Sequence, residues 1–181
     1  MKPRILGRIL MTAALAIGAA VAAVPNDADV AKSVRHEVLM YPRYTLWDDI
    51  NFRVDNRNVE LFGAVSQPYK KDDIKRLVQS IPGVASVTNE IKILPLSPFD
   101  DRLRLQVARA IYTYPGLSRY AMGAVPAIHI IVDNGHVTLT GAVSTESDKE
   151  LATIRASGAG LGFGQVVNNL SVEQPAKGKK S

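Results

Sequence analysis

The stretch VDNRNVELFGAV at positions 54–65 returns further along the chain as VDNGHVTLTGAV at positions 132–143. Eight of the twelve positions are identical. A match this dense, aligned without a gap, indicates an internal duplication. In each copy, two apolar segments flank a turn rich in Asn and Asp, a pattern typical of a β-hairpin. The duplication therefore predicts two copies of one small module.

The duplication extends to both sides of the hairpin. Upstream, VLMYP at 38–42 matches IYTYP at 111–115, and downstream, VTNEIKI at 87–93 matches VVNNLSV at 166–172. The offset between the copies grows along the chain, which places five extra residues before the second hairpin and one more before the last strand. Loops tolerate such insertions, so the repeated segments are expected to be the structural elements.

Hydrophobic periodicity predicts the order α-β-β-α-β in each copy. Val30, Val34 and Val38 recur on one face of a helix, and the apolar residues of 59–65 suit a strand. A helical crossover to a parallel third strand is almost always right-handed, which places both helices on one face of the sheet. The predicted fold class is α+β, with two tandem modules, each a three-stranded mixed sheet with two helices on one face.

The N-terminus has the pattern of an export signal. Lys2, Arg4 and Arg8 precede an uncharged run that ends in small residues, which is typical of a cleaved signal peptide. The run of about 15 residues is shorter than the roughly 20 that span a bilayer. The predicted organisation is a signal peptide at 1–23, a first module at 29–94, a linker at 95–100, a second module at 101–173 and a disordered basic tail at 174–181.

The overall basic charge lies mainly at the two ends of the chain. The formal net charge is +5, but without Lys2, Arg4 and Arg8 only 19 basic residues face 17 acidic ones. A nucleic-acid-binding domain normally has a basic surface of its own, so no nucleic-acid partner is expected.

The chain contains no Cys, which excludes disulfides, thiol nucleophiles and a lipid-modified N-terminal cysteine.

The sequence has no recognisable catalytic or metal-binding pattern. The three histidines, at 36, 129 and 136, match no zinc-binding spacing, and no G-x-S-x-G is present. The Gly-rich segment 158–164 fits neither a phosphate-binding loop nor a dinucleotide fingerprint. The adjacent pairs Asp48–Asp49 and Asp72–Asp73 are expected on a solvated surface. We therefore predict a non-enzymatic protein without a cofactor or metal.

Two glycines occupy equivalent positions near the ends of the return strands. Gly63 and Gly141 fall in the repeated V-x-L-x-G-x-V pattern. Gly within a strand indicates a bend or a close approach of backbone, so we predict a structural role for both. Direct contact with a ligand is the alternative.

The insertion of the second copy, GLSRYAMGAVP at 116–126, is its most asymmetric feature. It follows a predicted helix that carries several arginines. Apolar and aromatic groups beside arginines suit a membrane interface. The alternative is that the insertion packs against the first copy or covers its own sheet. The predicted contacts with lipid or a partner are Arg102, Arg109, Arg119, Tyr120 and Met122.

The paired V-x-L-x-G-x-V strands at 59–65 and 137–143 resemble those of BON domains, as do the closing segments at 83–89 and 166–170. The resemblance covers positions 29–173, and it departs from the family pattern at Gly162–Phe163, where Gly–Val is usual. It implies exported, non-enzymatic modules of the bacterial envelope, associated with osmotic stress, membrane integrity and anionic phospholipid binding. It also implies that the first helix of the second copy, about 101–114, contacts lipid.

These observations predict a periplasmic protein that binds an anionic phospholipid membrane surface and supports envelope integrity or osmotic stress tolerance. The alternative is a module that docks a protein of an envelope assembly. The sequence leaves the oligomeric state and the packing of the two copies open.

Overall fold

The computed structural model describes residues 25–159 and 166–173. The predicted signal peptide at 1–23 and the predicted tail at 174–181 lie outside the described residues, as does the Gly-rich segment from 160 to 165.

Each copy forms the predicted α-β-β-α-β module. The first contains α1 (Asp27–Met40), β1 (Asp49–Asp55), β2 (Asn58–Val65), α2 (Pro68–Gln79), β3 (Ser86–Asn89) and β4 (Lys92–Ile93). The second contains α3 (Pro98–Tyr112), a 3-10 turn (Ser118–Ala121), β5 (Ile128–Asp133), β6 (His136–Val143), α4 (Glu146–Ala159), β7 (Val167–Asn168) and β8 (Ser171–Val172). The predicted fold class is confirmed.

The second strand of each hairpin lies at the centre of its mixed sheet. β2 pairs antiparallel with β1 and parallel with both β3 and β4, and β6 pairs in the same way with β5, β7 and β8. The last strand of each module, predicted as continuous, is therefore two short pieces with a break between them.

A single asparagine holds each break. The side-chain amide of Asn89 donates to Lys71 O at 2.8 Å, and its Oδ1 atom accepts from Ile91 N at 3.2 Å. Asn168 repeats both bonds, to Lys149 O at 2.8 Å and from Leu170 N at 2.9 Å. Each asparagine thereby ties the break in the last strand to the preceding helix.

The helices cover one face of each sheet, and the alternation of side chains along the central strands fills the cores. The first core contains Val30, Val34, Val38, Tyr41, Ile50, Val59, Leu61, Val65, Ile74, Val78, Ile81 and Ile91. The second core contains Leu103, Val107, Ile111, Leu117, Tyr120, Ile128, Ile130, Val132, Val137, Leu139, Val143, Ala152, Ala156 and Leu170. Because side chains of a strand alternate between faces, the residues between these core positions point to the other face of the sheet.

A carboxylate at the start of the first helix fastens the hairpin turn in each module. Asp27 accepts from the backbone N–H groups of Asn56 at 2.8 Å and Arg57 at 2.7 Å. Asp100, which is fully buried, accepts in the same way from Asn134 at 3.0 Å and Gly135 at 2.9 Å. These bonds satisfy turn amides that the hairpin itself does not pair.

The helix starts differ slightly from the sequence-based expectation. α1 begins at Asp27, two residues before the predicted start of the first module, and is capped by Asn26, whose Oδ1 atom accepts from Asp29 N at 3.0 Å. α3 begins at Pro98, within the predicted linker, because Ser97 caps it and proline suits the first turn.

Gly63 and Gly141 adopt backbone conformations that side chains disfavour. Their φ angles are +112° and +105°. A Cβ atom on Gly63 would lie 2.0 Å from Asp49 O, and one on Gly141 would lie 2.1 Å from Ala127 O. Glycine at these positions therefore permits the close approach of the two hairpin strands.

Among the described residues, no helix is long and apolar enough to cross a membrane.

Candidate functional site

The outward face of α3 carries two unpaired arginines. Leu103, Val107 and Ile111 turn inward into the second core. Arg102 and Arg109 are separated by two helical turns, so they lie on nearly the same side of the helix, and both are exposed. Neither guanidinium has a hydrogen bond or ion pair within the part of the chain that the structure describes. Both charges are therefore available to an external anionic group.

The residues beside these arginines differ in accessibility. Leu105 lies between them along the helix and is 51% exposed. Arg104, in contrast, is buried and points away from both. Its guanidinium donates to Val132 O at 2.8 Å and to Asp101 Oδ1 at 2.5 Å. Arg104 thus ties α3 to β5, whereas Leu105 adds apolar surface to the basic face.

The insertion that follows α3 lies largely against its own module. Tyr120 is only 8% exposed and belongs to the second core. Its hydroxyl donates to Asp148 Oδ2 at 2.9 Å and accepts from Ser144 N at 2.8 Å. Arg119 donates to the same Asp148 oxygen at 2.5 Å and lies over the Tyr120 ring. Burial removes Tyr120 from the contact surface that the sequence analysis predicted, and Arg119 is already engaged.

Met122 is the part of the insertion that faces outward. Its exposed fraction is 83%, the largest among the exposed apolar residues of the described chain. Of the five predicted contact residues, Arg102, Arg109 and Met122 are therefore exposed without a polar partner among the described residues. Whether they contact lipid or protein stays a prediction.

The first module carries a comparable surface that the sequence analysis did not single out. With Val30, Val34 and Val38 buried, the outer side of α1 presents basic and apolar residues together. The exposed fractions of Leu39 and Met40 are 57% and 65%. The same helical periodicity that located the core of α1 also predicts this face. The exposed members are Lys32, Arg35, His36, Leu39 and Met40.

The segment Tyr44–Trp47, here called the joint segment, connects the two modules. Leu46 and Trp47 pack against the core of the second module. Leu46 O accepts a hydrogen bond from Ile130 N at 2.8 Å, which covers part of the edge of β5. The joint segment thereby protects an edge strand that would otherwise present unpaired backbone groups.

Two further contacts hold the modules together. The open faces of the two sheets meet in a small apolar cluster of Ala64, Leu94 and Ile131. Lys92 forms an ion pair with Asp133 at the rim. Domain interfaces of this limited kind permit relative motion unless they are large and apolar.

A buried ion pair begins at the residue that follows the joint segment in the chain. Asp48 is fully buried, and its Oδ2 atom accepts from Lys70 Nζ at 2.6 Å. Its Oδ1 atom accepts from Ser66 N and Ser66 Oγ, both at 2.8 Å. Burial alone raises the pKa of Asp48, but the hydrogen bonds from Lys70, Ser66 and Thr45 outweigh it and hold the pKa below its usual value. The expectation that Asp48 lies on a solvated surface is therefore wrong.

A groove of about 690 Å³ runs beside the joint. Its walls come from both modules, with Arg35 and Asp49 on one side and Thr140 and Ser171 on the other. His129 lies in it and is 8% exposed. Burial lowers the pKa of His129, although backbone contacts at Asp48 and Thr45 and the charge of Asp49 act in the opposite direction.

The histidines do not come together in a site. His36 and His136 are exposed, whereas His129 is buried at the joint. Within residues 25–159 and 166–173, no group of three or more His, Asp or Glu side chains could hold a metal ion.

Comparison with models of known protein families agrees with the arrangement of two equivalent modules. The sequence model of the BON domain matches residues 26–95 and 100–174. The chain belongs to the BON domain family. Each match spans one α-β-β-α-β module, so the chain contains two tandem BON domains. A search of curated proteins found no match.

Among solved structures, the two BON domains are remotely similar to CdsD of Chlamydia trachomatis, described as a structural protein of the type III secretion system. The identity is 18% with a TM-score of 0.29, over 80% of this chain and 61% of that chain. For a structure of the C-terminal domain of CdsD, the identity is 18% with a TM-score of 0.31, over 82% of this chain and 67% of that one. This chain therefore spans about three fifths of the length of the first of these structures.

Proposed function

We propose that this protein is exported, acts without enzymatic activity and binds the surface of anionic phospholipid membranes through its second BON domain. In this role it supports envelope integrity or tolerance of osmotic stress. The observation that carries the proposal is the outer face of α3, where Arg102 and Arg109 lie exposed without a partner in the described chain and Leu105 lies between them.

Electrostatics supply most of the expected affinity. Each basic residue near an anionic membrane surface contributes about 1 kcal/mol, and this attraction decays within about one Debye length. Insertion of Leu105 or Met122 into the interfacial region would add an apolar contribution, since both side chains are more than half exposed. The binding is therefore expected to be moderate in strength, sensitive to salt and weak on neutral lipid.

Flotation of the purified protein with vesicles of defined charge tests the proposal. The double variant Arg102→Glu/Arg109→Glu reverses two charges on the proposed contact face. Because about 1.4 kcal/mol corresponds to a tenfold change in affinity, the loss and reversal of two charges should weaken binding by about tenfold or more. Both side chains are exposed, so the circular dichroism spectrum should stay that of the unaltered protein.

The matched control lies on the equivalent helix of the first domain. Lys32→Glu/Arg35→Glu makes the same change of charge on the exposed face of α1 and should weaken vesicle binding less. Lys70 is unsuitable as a control because it is buried in the ion pair with Asp48. If both double variants bind vesicles as the unaltered protein does, the membrane proposal fails and docking to an envelope protein becomes the better explanation.

Export is the second part of the proposal, and it rests on the sequence pattern of residues 1–23. Mass spectrometry of the protein recovered from the periplasm should find a new N-terminus at Ala23 or Val24. An intact Met1 in that fraction would contradict cleavage.

A further inference from the structure

The imidazole of His129 lies inside the joint between the two BON domains. Its ring stacks on that of Tyr44, with centroids 5.3 Å apart and planes inclined by 25°. Within the described residues, its Nδ1 atom is buried and has no hydrogen-bond partner. Thr140, which faces His129 across the hairpin, has a buried Oγ1 atom that also has no partner there. Burial of the ring lowers the pKa of His129 more than the backbone groups of Asp48 and Thr45 and the charge of Asp49 raise it.

The charged and titratable groups around the ring come from three elements. Tyr44 and Asp48 lie at the joint segment, Asp49 at the start of β1, and Arg35 on α1 across the groove. Asp48 is already committed to Lys70. Burial, followed by the charge of Asp49, raises the pKa of Tyr44 to about 12, so its hydroxyl stays neutral. Asp49 favours a positive charge on His129, with a smaller contribution from Asp48, whereas the charge of Arg35 opposes it.

A proton on His129 would therefore place a cation in the joint whose loss of solvation outweighs the compensation from Asp48, Thr45 and Asp49. Burying an unpaired charge costs far more than burying a neutral ring, and opening the joint lets water solvate the imidazolium. The joint is also smaller than either core, because it rests on the Tyr44–His129 stack, the packing of Leu46 and Trp47, the Leu46–Ile130 backbone bond, one small apolar cluster and one rim ion pair. Each domain, in contrast, has a continuous core of its own.

We propose that His129 makes the joint responsive to acid. When the imidazole takes up a proton, the joint segment leaves the edge of β5 and the two domains separate, while each domain keeps its own fold. Opening uncovers Leu46 and Trp47 on the first domain, and Ile131 with the edge of β5 on the second. The protein would thus present an apolar surface and a free strand edge only under acidic conditions.

Trp47 reports directly on this transition because it is the only tryptophan in the chain and lies on the joint segment. Its fluorescence should be recorded with small-angle scattering and far-ultraviolet circular dichroism as the pH falls from about 7.5 to about 4.5, a range chosen around the ordinary histidine pKa of about 6.5. We expect the emission to shift to longer wavelength and the radius of gyration to rise, with a midpoint below 6.5. The dichroism should stay constant. Asp48 does not interfere, since its pKa lies below 3.8.

His129→Phe keeps a ring against Tyr44 but cannot take up a proton, so the variant should show no shift over this range. His129→Gln, which is polar and does not titrate, gives the same expectation and serves if the Phe variant fails to fold. The double variant His36→Gln/His136→Gln removes the two exposed histidines and should behave as the unaltered protein does. The proposal is overturned if Trp47 does not respond in this range, if a folded His129 variant keeps the same midpoint, or if the dichroism is lost at that midpoint.

Discussion

Lys70 Nζ lies 2.6 Å from Asp48 Oδ2, and the exposed fractions of the two side chains are 4% and 0%. The pair links the start of α2 to the segment that precedes β1. Ser66 Oγ also accepts from Lys70 Nζ at 3.0 Å, so the ammonium and the carboxylate share a hydroxyl partner. Such a pair holds the joint segment at a fixed distance from the sheet.

The second domain makes the same link with the charges exchanged. Asp148 lies on α4 at the position that corresponds to Lys70 when the two hairpins are aligned, and Arg119 of the insertion supplies the cation. The side chain of Arg119 is 53% exposed, whereas Lys70 is buried. The two copies thus share the connection between helix and loop rather than the residues that make it.

Asp48→Asn is expected to destabilise the protein strongly, because it leaves the ammonium of Lys70 buried without a counter-charge. Removal of one partner of a buried pair costs about 3–5 kcal/mol. Urea unfolding at neutral pH measures the loss. Asp49→Asn is the control, since Asp49 is only partly buried and its carboxylate makes no hydrogen bond or ion pair in the described chain. Equal losses for the two variants would contradict a special role of the buried pair.

The contribution of Asp48 should also disappear in acid. Its pKa is lowered in the folded protein because the hydrogen bonds from Lys70, Ser66 and Thr45 outweigh the effect of burial. A carboxylate with a lowered pKa stabilises the fold above its unfolded-state value of 3.8, and this contribution is lost as the pH falls through the folded-state value. The difference in unfolding free energy between the unaltered protein and Asp48→Asn should therefore shrink below pH 3.8. A difference that stays constant down to the acid transition would refute this assignment.

The exchanged pair in the second domain should be weaker and more sensitive to salt. Arg119→Gln is expected to destabilise the protein less than Asp48→Asn, because solvent screens a half-exposed guanidinium. At about 1 M salt the Debye length is about 3 Å, so the effect of Arg119→Gln should shrink further, whereas that of Asp48→Asn should change little. Urea unfolding at low and high salt provides the comparison. A larger loss for Arg119→Gln would show that exposure does not decide the strength of these pairs.

The elements that the sequence predicted are those with local signals. The valines of α1 repeat with the helical period, and the turn Asp133–Asn134–Gly135 marks the second hairpin, so both were located without long-range information. The burial of Asp48 could not be predicted in this way. Its partners Ser66 and Lys70 lie 18 and 22 residues further along the chain, and nothing in an adjacent Asp pair indicates which carboxylate is buried.

The residues of the candidate site show the same difference between local sequence signals and long-range contacts. The two-turn spacing of Arg102 and Arg109 placed both on one exposed helical face. Tyr120, in contrast, lies in an irregular insertion where no period constrains its direction, and its buried hydroxyl bonds to Asp148, 28 residues away. Long-range polar partners of this kind become visible only in the folded chain.

Asp100→Ala should destabilise the second domain by removing the acceptor for two turn amides. The N–H groups of Asn134 and Gly135 would lose their partner, and Gly135 is itself buried. An unsatisfied buried donor costs about 1–3 kcal/mol. Thermal unfolding measures the loss, and hydrogen exchange at Gly135 should accelerate. Asp101→Ala is the neighbouring control for position on α3, and it should leave exchange at Gly135 unchanged because Asp101 contacts Arg104 instead.

Gly141→Ala is expected to be costly although the side chain that it adds is only a methyl group. The φ angle of +105° strains any residue with a Cβ atom, and such strain costs about 1–3 kcal/mol. The added atom would also lie 2.1 Å from Ala127 O and 3.3 Å from His129 Cδ2, so the hairpin strands and the joint must shift. Thermal melts should show the lower stability.

Gly158→Ala is the matched control, because the same methyl group there meets no atom within 4 Å and Gly158 lies in α4. Replacement of Gly by Ala in a helix stabilises by roughly 0.5–1 kcal/mol, so this variant should melt at the same temperature as the unaltered protein or slightly higher. Vesicle binding by the folded fraction of Gly141→Ala should be unchanged. If Gly141→Ala instead kept its melting temperature and lost vesicle binding, Gly141 would be a contact for the ligand rather than a requirement of the hairpin.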